Sequence, residues 1–271
     1  MLAILPLSLF TNWKLARFRN LAAWLALIMM VMAAPPLSWI MIVIFFAAFI
    51  LWYLSCNSFA NSKTLRIVST LILGTAVLCG VVREYSHRPL PNVAGPVGDH
   101  LVVIGDSISA GLNPQISPWP HVMQQETRIP IRNLSRVGAT TADGMAMAAQ
   151  VTPDDRVVLV EIGGNDLIAG VPSERFEKSL DSILSSLASN QRTVAMMELP
   201  LLPYRIGYGR TQRRLASRYG VWLIPKRCFV QVISGSSATS DGLHLSAEGS
   251  ARMAKLVARV LLPVLRPSRT N

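Results

Sequence analysis

Hydrophobic positions fall in two regimes along this chain. Up to about residue 85 they are almost continuous, and beyond it short apolar runs alternate with amphipathic stretches. Residues 21–54 carry no charged side chain and are interrupted by Pro35-Pro36. As one helix they would run about 51 Å, against a hydrocarbon core of about 30 Å. The proline pair also removes two backbone donors and disfavours helix just before it. The pattern therefore predicts two spans joined by a tight turn, 20–34 and 37–54, and a third over 65–82. Arg17 and Arg19 are expected to snorkel at the start of the first. Lys14, Arg17 and Arg19 precede the first span, and Lys63 and Arg66 lie between the second and third. Basic loops stay in the cytoplasm, so the N-terminus is expected inside and the chain after three crossings outside. A single crossing by 21–54 would reverse that side. A cleaved signal peptide over 12–34, ending at Ala33-Ala34, is the alternative, and Pro35 opposes it.

Residues 86–98 (SHRPLPNVAGPVG) read as a linker, rich in proline and glycine. Residues 99–271 read as one domain. Short β-branched runs occur at His100–Ile104, Ile129–Leu134, Arg156–Ile162, Thr193–Leu199 and Val221–Ile224. Between them, helical patterns cover about 117–127, 140–150, 172–190, 207–219 and 246–262. Buried strands alternating with helices predict an α/β fold, a parallel sheet covered on both faces. In such sheets sites form beyond the C-terminal strand ends.

Composition sharpens the division. The chain is 51% hydrophobic and 15% charged, with net charge +11 over 271 residues. Six basic residues and one acid precede residue 86, which leaves 20 basic and 14 acidic residues in the rest, a net +6. That excess favours anionic partners such as phospholipid surfaces, with a solvated basic face the plainer reading. No basic stripe with interleaved aromatics marks a nucleic-acid reader, and no nucleic-acid partner is expected. Three cysteines without a CxxC or Cys/His cluster point away from a structural metal or disulfide framework.

Four motifs lie at strand ends or before the last helix. Gly105-Asp106-Ser107 follows the first strand. Asn133-Leu134-Ser135-Arg136-Val137-Gly138 follows the second, and Gly163-Gly164-Asn165-Asp166 the third. Ser240-Asp241-Gly242-Leu243-His244-Leu245 precedes the last helix. Each alone is equally well a turn or a cap. Together they supply a nucleophile, a base, an orienting carboxylate and oxyanion donors, the parts acyl transfer needs. Asp106 and Asp166 read as turn formers, and His121 as surface or helix start.

The set resembles the SGNH hydrolases, the GDSL esterase/lipase family. IGDSISAGL, NLSRVGATTADG, VLVEIGGNDLIAG and SDGLHLSAEG are similar to its blocks I, II, III and V, nearest to the bacterial periplasmic thioesterase/lysophospholipase/arylesterase group. The likeness covers about residues 100–262 and excludes the N-terminal spans. Ala139 departs from it, since a polar residue is common after the block II glycine.

The resemblance implies a flavodoxin-like three-layer α/β/α sandwich with a five-stranded parallel sheet, here preceded by three transmembrane helices. It implies Ser107, Asp241 and His244 as a catalytic triad. It also implies an oxyanion hole from Ser107, Gly138 and Asn165, with no metal or organic cofactor. The expected activity is a serine esterase or acyl hydrolase on lysophospholipid, acyl or aryl esters or thioesters, at the cell membrane with the domain extracytoplasmic. An O-acetylesterase or transacylase of envelope glycans is the rival activity, and a non-catalytic membrane protein a third. Arg205, Arg210, Arg213, Arg214 and Arg218 form a basic cluster, either a solvated helix face or a contact for anionic headgroups.

Overall fold

The computed structural model describes residues 13–32, 37–57, 63–189, 191–200, 205–235 and 237–266. The chain divides into two compact units, Met1–Arg88 with Leu201–Ile206 and Pro89–Pro200 with Gly207–Asn271.

The first unit contains helices α1 (Trp13–Met32), α2 (Trp39–Asn57) and α3 (Lys63–Tyr85). Ala23, Leu27, Phe45, Phe49, Trp52, Leu73 and Val77 pack together within it. Ser55 Oγ meets Ser69 Oγ at 2.9 Å, so two buried hydroxyls of α2 and α3 satisfy each other. Arg19 does not snorkel: it is buried, donating to the side chain of Asn20 and the carbonyl of Cys56. Many larger apolar side chains point outward, among them Ile28, Val43, Ile50, Leu71 and Val82. Among the described residues, two helices are long and apolar enough to cross a membrane, Trp39–Asn57 and Thr64–Tyr85. The predicted span 20–34 coincides with α1 as far as Met32, and its end, with the Pro35-Pro36 turn, lies outside the described residues.

The second unit runs β1 (Leu101–Gly105), α4 (Ser107–Ala110), α5 (Trp119–Thr127), β2 (Ile131–Asn133), α6 (Thr141–Ala148), β3 (Val157–Glu161), α7 (Gly164–Ala169) and α8 (Ser173–Leu187). It continues through β4 (Thr193–Met197), α9 (Ile206–Tyr219), β5 (Trp222–Ile224), α10 (Lys226–Ile233) and α11 (Ala247–Leu261). The five strands are all parallel, in the order β2-β1-β3-β4-β5. That is the flavodoxin-like order, with the switch of direction between β1 and β3.

Both sheet faces are buried, which is why the strands read as continuous apolar runs. Leu101, Val103, Leu159, Ala195 and Met197 pack with Trp119, Met123, Phe229, Met253 and Val257, from α5, α10 and α11. The intervening Val102, Ile104, Val158, Val160 and Met196 are equally buried, and the two-residue period turns them to the opposite face. That face belongs to α6, α8 and α9, where Tyr208 stacks on Phe176 with ring centroids 4.1 Å apart. The proline-rich approach to the domain is partly laid against it: Val93 is buried, and Thr193 Oγ1 donates to the Pro96 carbonyl at 2.9 Å.

Helices α7 and α10 have no counterpart in the sequence pattern. At six and eight residues they are shorter than the window over which a 3.6-residue period separates from chance.

Candidate active site

Ser107 opens α4 directly beyond β1 and is buried. Asp106 caps that helix, its side chain accepting from the Ile108 N–H at 3.0 Å. The first N–H groups of a helix have no intrahelical acceptor, so Ser107 presents its own amide at the strand end.

His244 comes from the turn before α11, 137 positions along the chain, yet its Nε2 lies 3.1 Å from Ser107 Oγ. Its Nδ1 lies 2.6 Å from Asp241 Oδ2. An ionised carboxylate can only accept, so Nδ1 carries the proton and Nε2 is left to accept from the serine. Asp241 Oδ1 takes the N–H groups of Leu243 and His244 at 3.0 and 2.7 Å. The bond from the His244 ring, then these two amides, hold the Asp241 carboxyl well below the usual carboxylate range.

The loops after β2 and β3 close on the same strand end. Gly105 leaves no room for a side chain: a Cβ there would sit 2.8 Å from Ser135 Oγ and 2.9 Å from the Glu161 carbonyl. The Arg136 N–H donates to the Gly105 carbonyl at 3.2 Å, which draws the Gly138 loop against β1. Gly138 has φ 75°, a left-handed conformation that glycine adopts without strain. Asn165, in the first turn of α7, donates its side-chain amide to the Ala139 carbonyl at 3.0 Å. Asp166 accepts from the Thr141 amide and hydroxyl at 2.8 and 2.6 Å, a second tie between the two loops. Ser107, His244 and Asp241 are thus in direct succession, and Gly138 and Asn165 belong to loops that meet each other.

A cleft beside Ser107 and His244 is lined by Ile108, Leu112, Asn113, Ile116, Pro118, Ser240 and Leu245. The other described histidines are engaged elsewhere. His87 faces the Arg83 carbonyl, His121 faces Gln125, and His100 lies between Asp99 and Asp155 at the start of β1.

Behind the serine lies a buried polar chain without a sequence expectation. Trp119 Nε1 donates to Ser109 Oγ at 3.0 Å, and Ser109 Oγ donates to Glu161 Oε2 at 2.7 Å. Burial, reinforced by the nearby Asp106 carboxyl, lifts Glu161 well above its usual range. Burial likewise pushes Asp106 up to about 6. The available signal was the lone acid in the otherwise apolar strand VVLVE.

Three of the five clustered arginines pair with acids of the domain. Arg213 Nε lies 2.6 Å from buried Glu198 Oε1, Arg214 2.6 Å from Glu177, and Arg218 3.4 Å from Asp181. For the exposed Arg214 and Arg218 these partners favour the solvated-face reading over a headgroup contact, whereas Arg213 is largely buried.

Residues 103–252 match the GDSL-like Lipase/Acylhydrolase family. The arylesterase of Vibrio mimicus is 28% identical over 189 residues, 63% of this chain and 92% of that protein. Thioesterase 1/protease 1/lysophospholipase L1 of Escherichia coli strain K12 is 26% identical, over 62% of this chain and 85% of its own. The crystal structure of TesA superposes with TM-score 0.53 at 26% identity, covering 61% of this chain and 99% of TesA. The esterase EstA from Pseudoalteromonas sp. shares the fold at 18% identity, TM-score 0.54, over 61% of this chain and 97% of its own. The family match, spanning all the motif-bearing strand ends, means that this chain belongs to the GDSL-like lipase/acylhydrolase family and is a carboxylic ester hydrolase of the SGNH type.

Proposed function

We propose that the chain is a membrane-anchored serine hydrolase of acyl, aryl or lysophospholipid esters and of thioesters, working through Ser107, His244 and Asp241. The observation that carries this is the 3.1 Å approach of His244 Nε2 to Ser107 Oγ across 137 positions of sequence. Ser107 Oγ attacks the carbonyl carbon while His244 takes its proton. Asp241 holds the imidazole in the tautomer that leaves Nε2 free and stabilises its charged form. The oxygen that becomes negative is met by the amides of Ser107 and Gly138 and by the Asn165 side chain, each worth about 3–4 kcal/mol in sites of this kind. His244 returns the proton to the departing alcohol or thiol, and water releases the acyl group from Ser107 by the same path in reverse.

The substrate range follows the relatives, an arylesterase and a thioesterase/lysophospholipase. The anchor is the N-terminal unit, residues 1–85, with α1, α2 and α3 as three crossings ahead of a hydrolase domain at 99–271. Two helices of spanning length, apolar side chains turned outward, and basic residues at positions 14–19 and 63–66 support it. The same polarity puts the hydrolase domain outside the cytoplasm.

The test is Ser107→Ala in the full chain. Hydrolysis of p-nitrophenyl acetate should fall by at least about a thousandfold, and labelling by a fluorophosphonate probe should vanish. A variant that hydrolyses as fast as the parent refutes the assignment.

A further inference from the structure

We propose that exposed apolar side chains around the active site form a rim that rests on a lipid bilayer, from which the enzyme draws an acyl ester of lipid type. The inference builds on the nucleophile assignment above.

Among the described residues of the second unit, seven large apolar side chains are exposed, and four flank the site residues. Leu112 (51% exposed) follows α4, Val137 (53%) precedes Gly138, Ile168 (62%) is three residues beyond Asn165, and Leu243 (46%) precedes His244. Three of them lie on loops and Ile168 on α7, segments that adjoin the site residues. Isolated exposed hydrophobics need no explanation, but a concentration of them around one cleft marks an interaction surface.

Two features commit this surface to a bilayer. First, α3 is one of the two helices long and apolar enough to cross a membrane. Only Ser86, His87 and Arg88 separate its end at Tyr85 from the second unit, which begins at Pro89. A helix held in lipid therefore keeps this domain at the lipid surface. Second, the chemistry at the centre of the rim attacks an acyl ester, and a lipid ester is delivered by the surface such side chains would enter. Apolar side chains seated at the headgroup boundary lose their contact with water and hold the cleft against the source of substrate. The domain's net +6 works in the same direction on an anionic bilayer.

The experiment uses the full chain in vesicles of phosphatidylcholine and phosphatidylglycerol. The variant is Val137→Ser/Ile168→Ser, with Ile168→Asp as an independent second; Leu243 is left alone because its N–H holds Asp241. Leu112 is left alone because it also lines the cleft. Two substrates are compared on the same vesicles: a lysophospholipid held in the bilayer and p-nitrophenyl acetate in water. The expected result is a loss of at least about tenfold in kcat/KM on the lysophospholipid, the scale of apolar burial withdrawn from an interface. p-Nitrophenyl acetate hydrolysis should stay within about twofold of the parent. Equal loss on both substrates, no loss on either, or a change in the oligomeric state of the solubilised protein would overturn the proposal. Survival of both activities in Ser107→Ala would instead strike the nucleophile assignment, a separate failure read on a separate variant.

Discussion

Asp106 stands beside the proposed nucleophile and caps its helix, yet its carboxyl is buried and raised from 3.8 to about 6. The folded state therefore binds that proton more tightly than the unfolded chain does. The stability it contributes is fully present below pH 3.8 and is lost as pH rises through about 6. Asparagine keeps an acceptor for the Ile108 N–H and carries no charge. Asp106→Asn should thus be more stable than the parent at pH 8, by about 1–3 kcal/mol, and no more stable at pH 4. Melting curves in detergent at the two pH values read the difference, and an equal gap at both would contradict it. The identity of Asp106 as a turn former was legible from its place before the serine. Its raised pKa was not, because burial, with a smaller push from the Asp166 charge, comes only with the fold.

At the level of elements, α9 shows how a sequence cluster dissolves into distinct roles. Arg213 compensates a buried carboxylate, whereas Arg214 and Arg218 pair with exposed acids of α8. Removing one partner of a buried pair strands the other charge. Arg213→Met should cost about 3–5 kcal/mol, and adding Glu198→Gln should recover most of it. Arg214→Met and Arg218→Met should each stay within about 1 kcal/mol. Denaturation midpoints of the four variants decide this. From sequence the five arginines looked alike, since nothing local reveals that Glu198, at the end of β4, lies beneath one of them. The strands fared better, because burial on both faces writes itself into VVLVE and TVAMM without long-range information. Helix α10 did not: its buried Cys228, Phe229 and Val232 have helical spacing, but over two turns only.

On the scale of the whole molecule, the proposed arrangement has a side. With three crossings and basic residues inside, an alkaline phosphatase joined to the C-terminus should be active in bacterial cells, and a single crossing by residues 21–54 would leave it inactive. The hydrophobic pattern marked where the N-terminal helices fall, whereas the Glu161–Ser109–Trp119 chain beneath the site came only with the folded structure.

Asp241 and His244 are neighbours in one short turn, and their mutual orientation is set by bonds inside that turn. The proposed base and orienting acid are therefore aligned by short-range bonds alone. The proposed site then needs two kinds of long-range closure: docking of that turn onto the amino end of α4, and approach of the loops that carry Gly138 and Asn165. Recovery of activity after unfolding would report the slower of these closures.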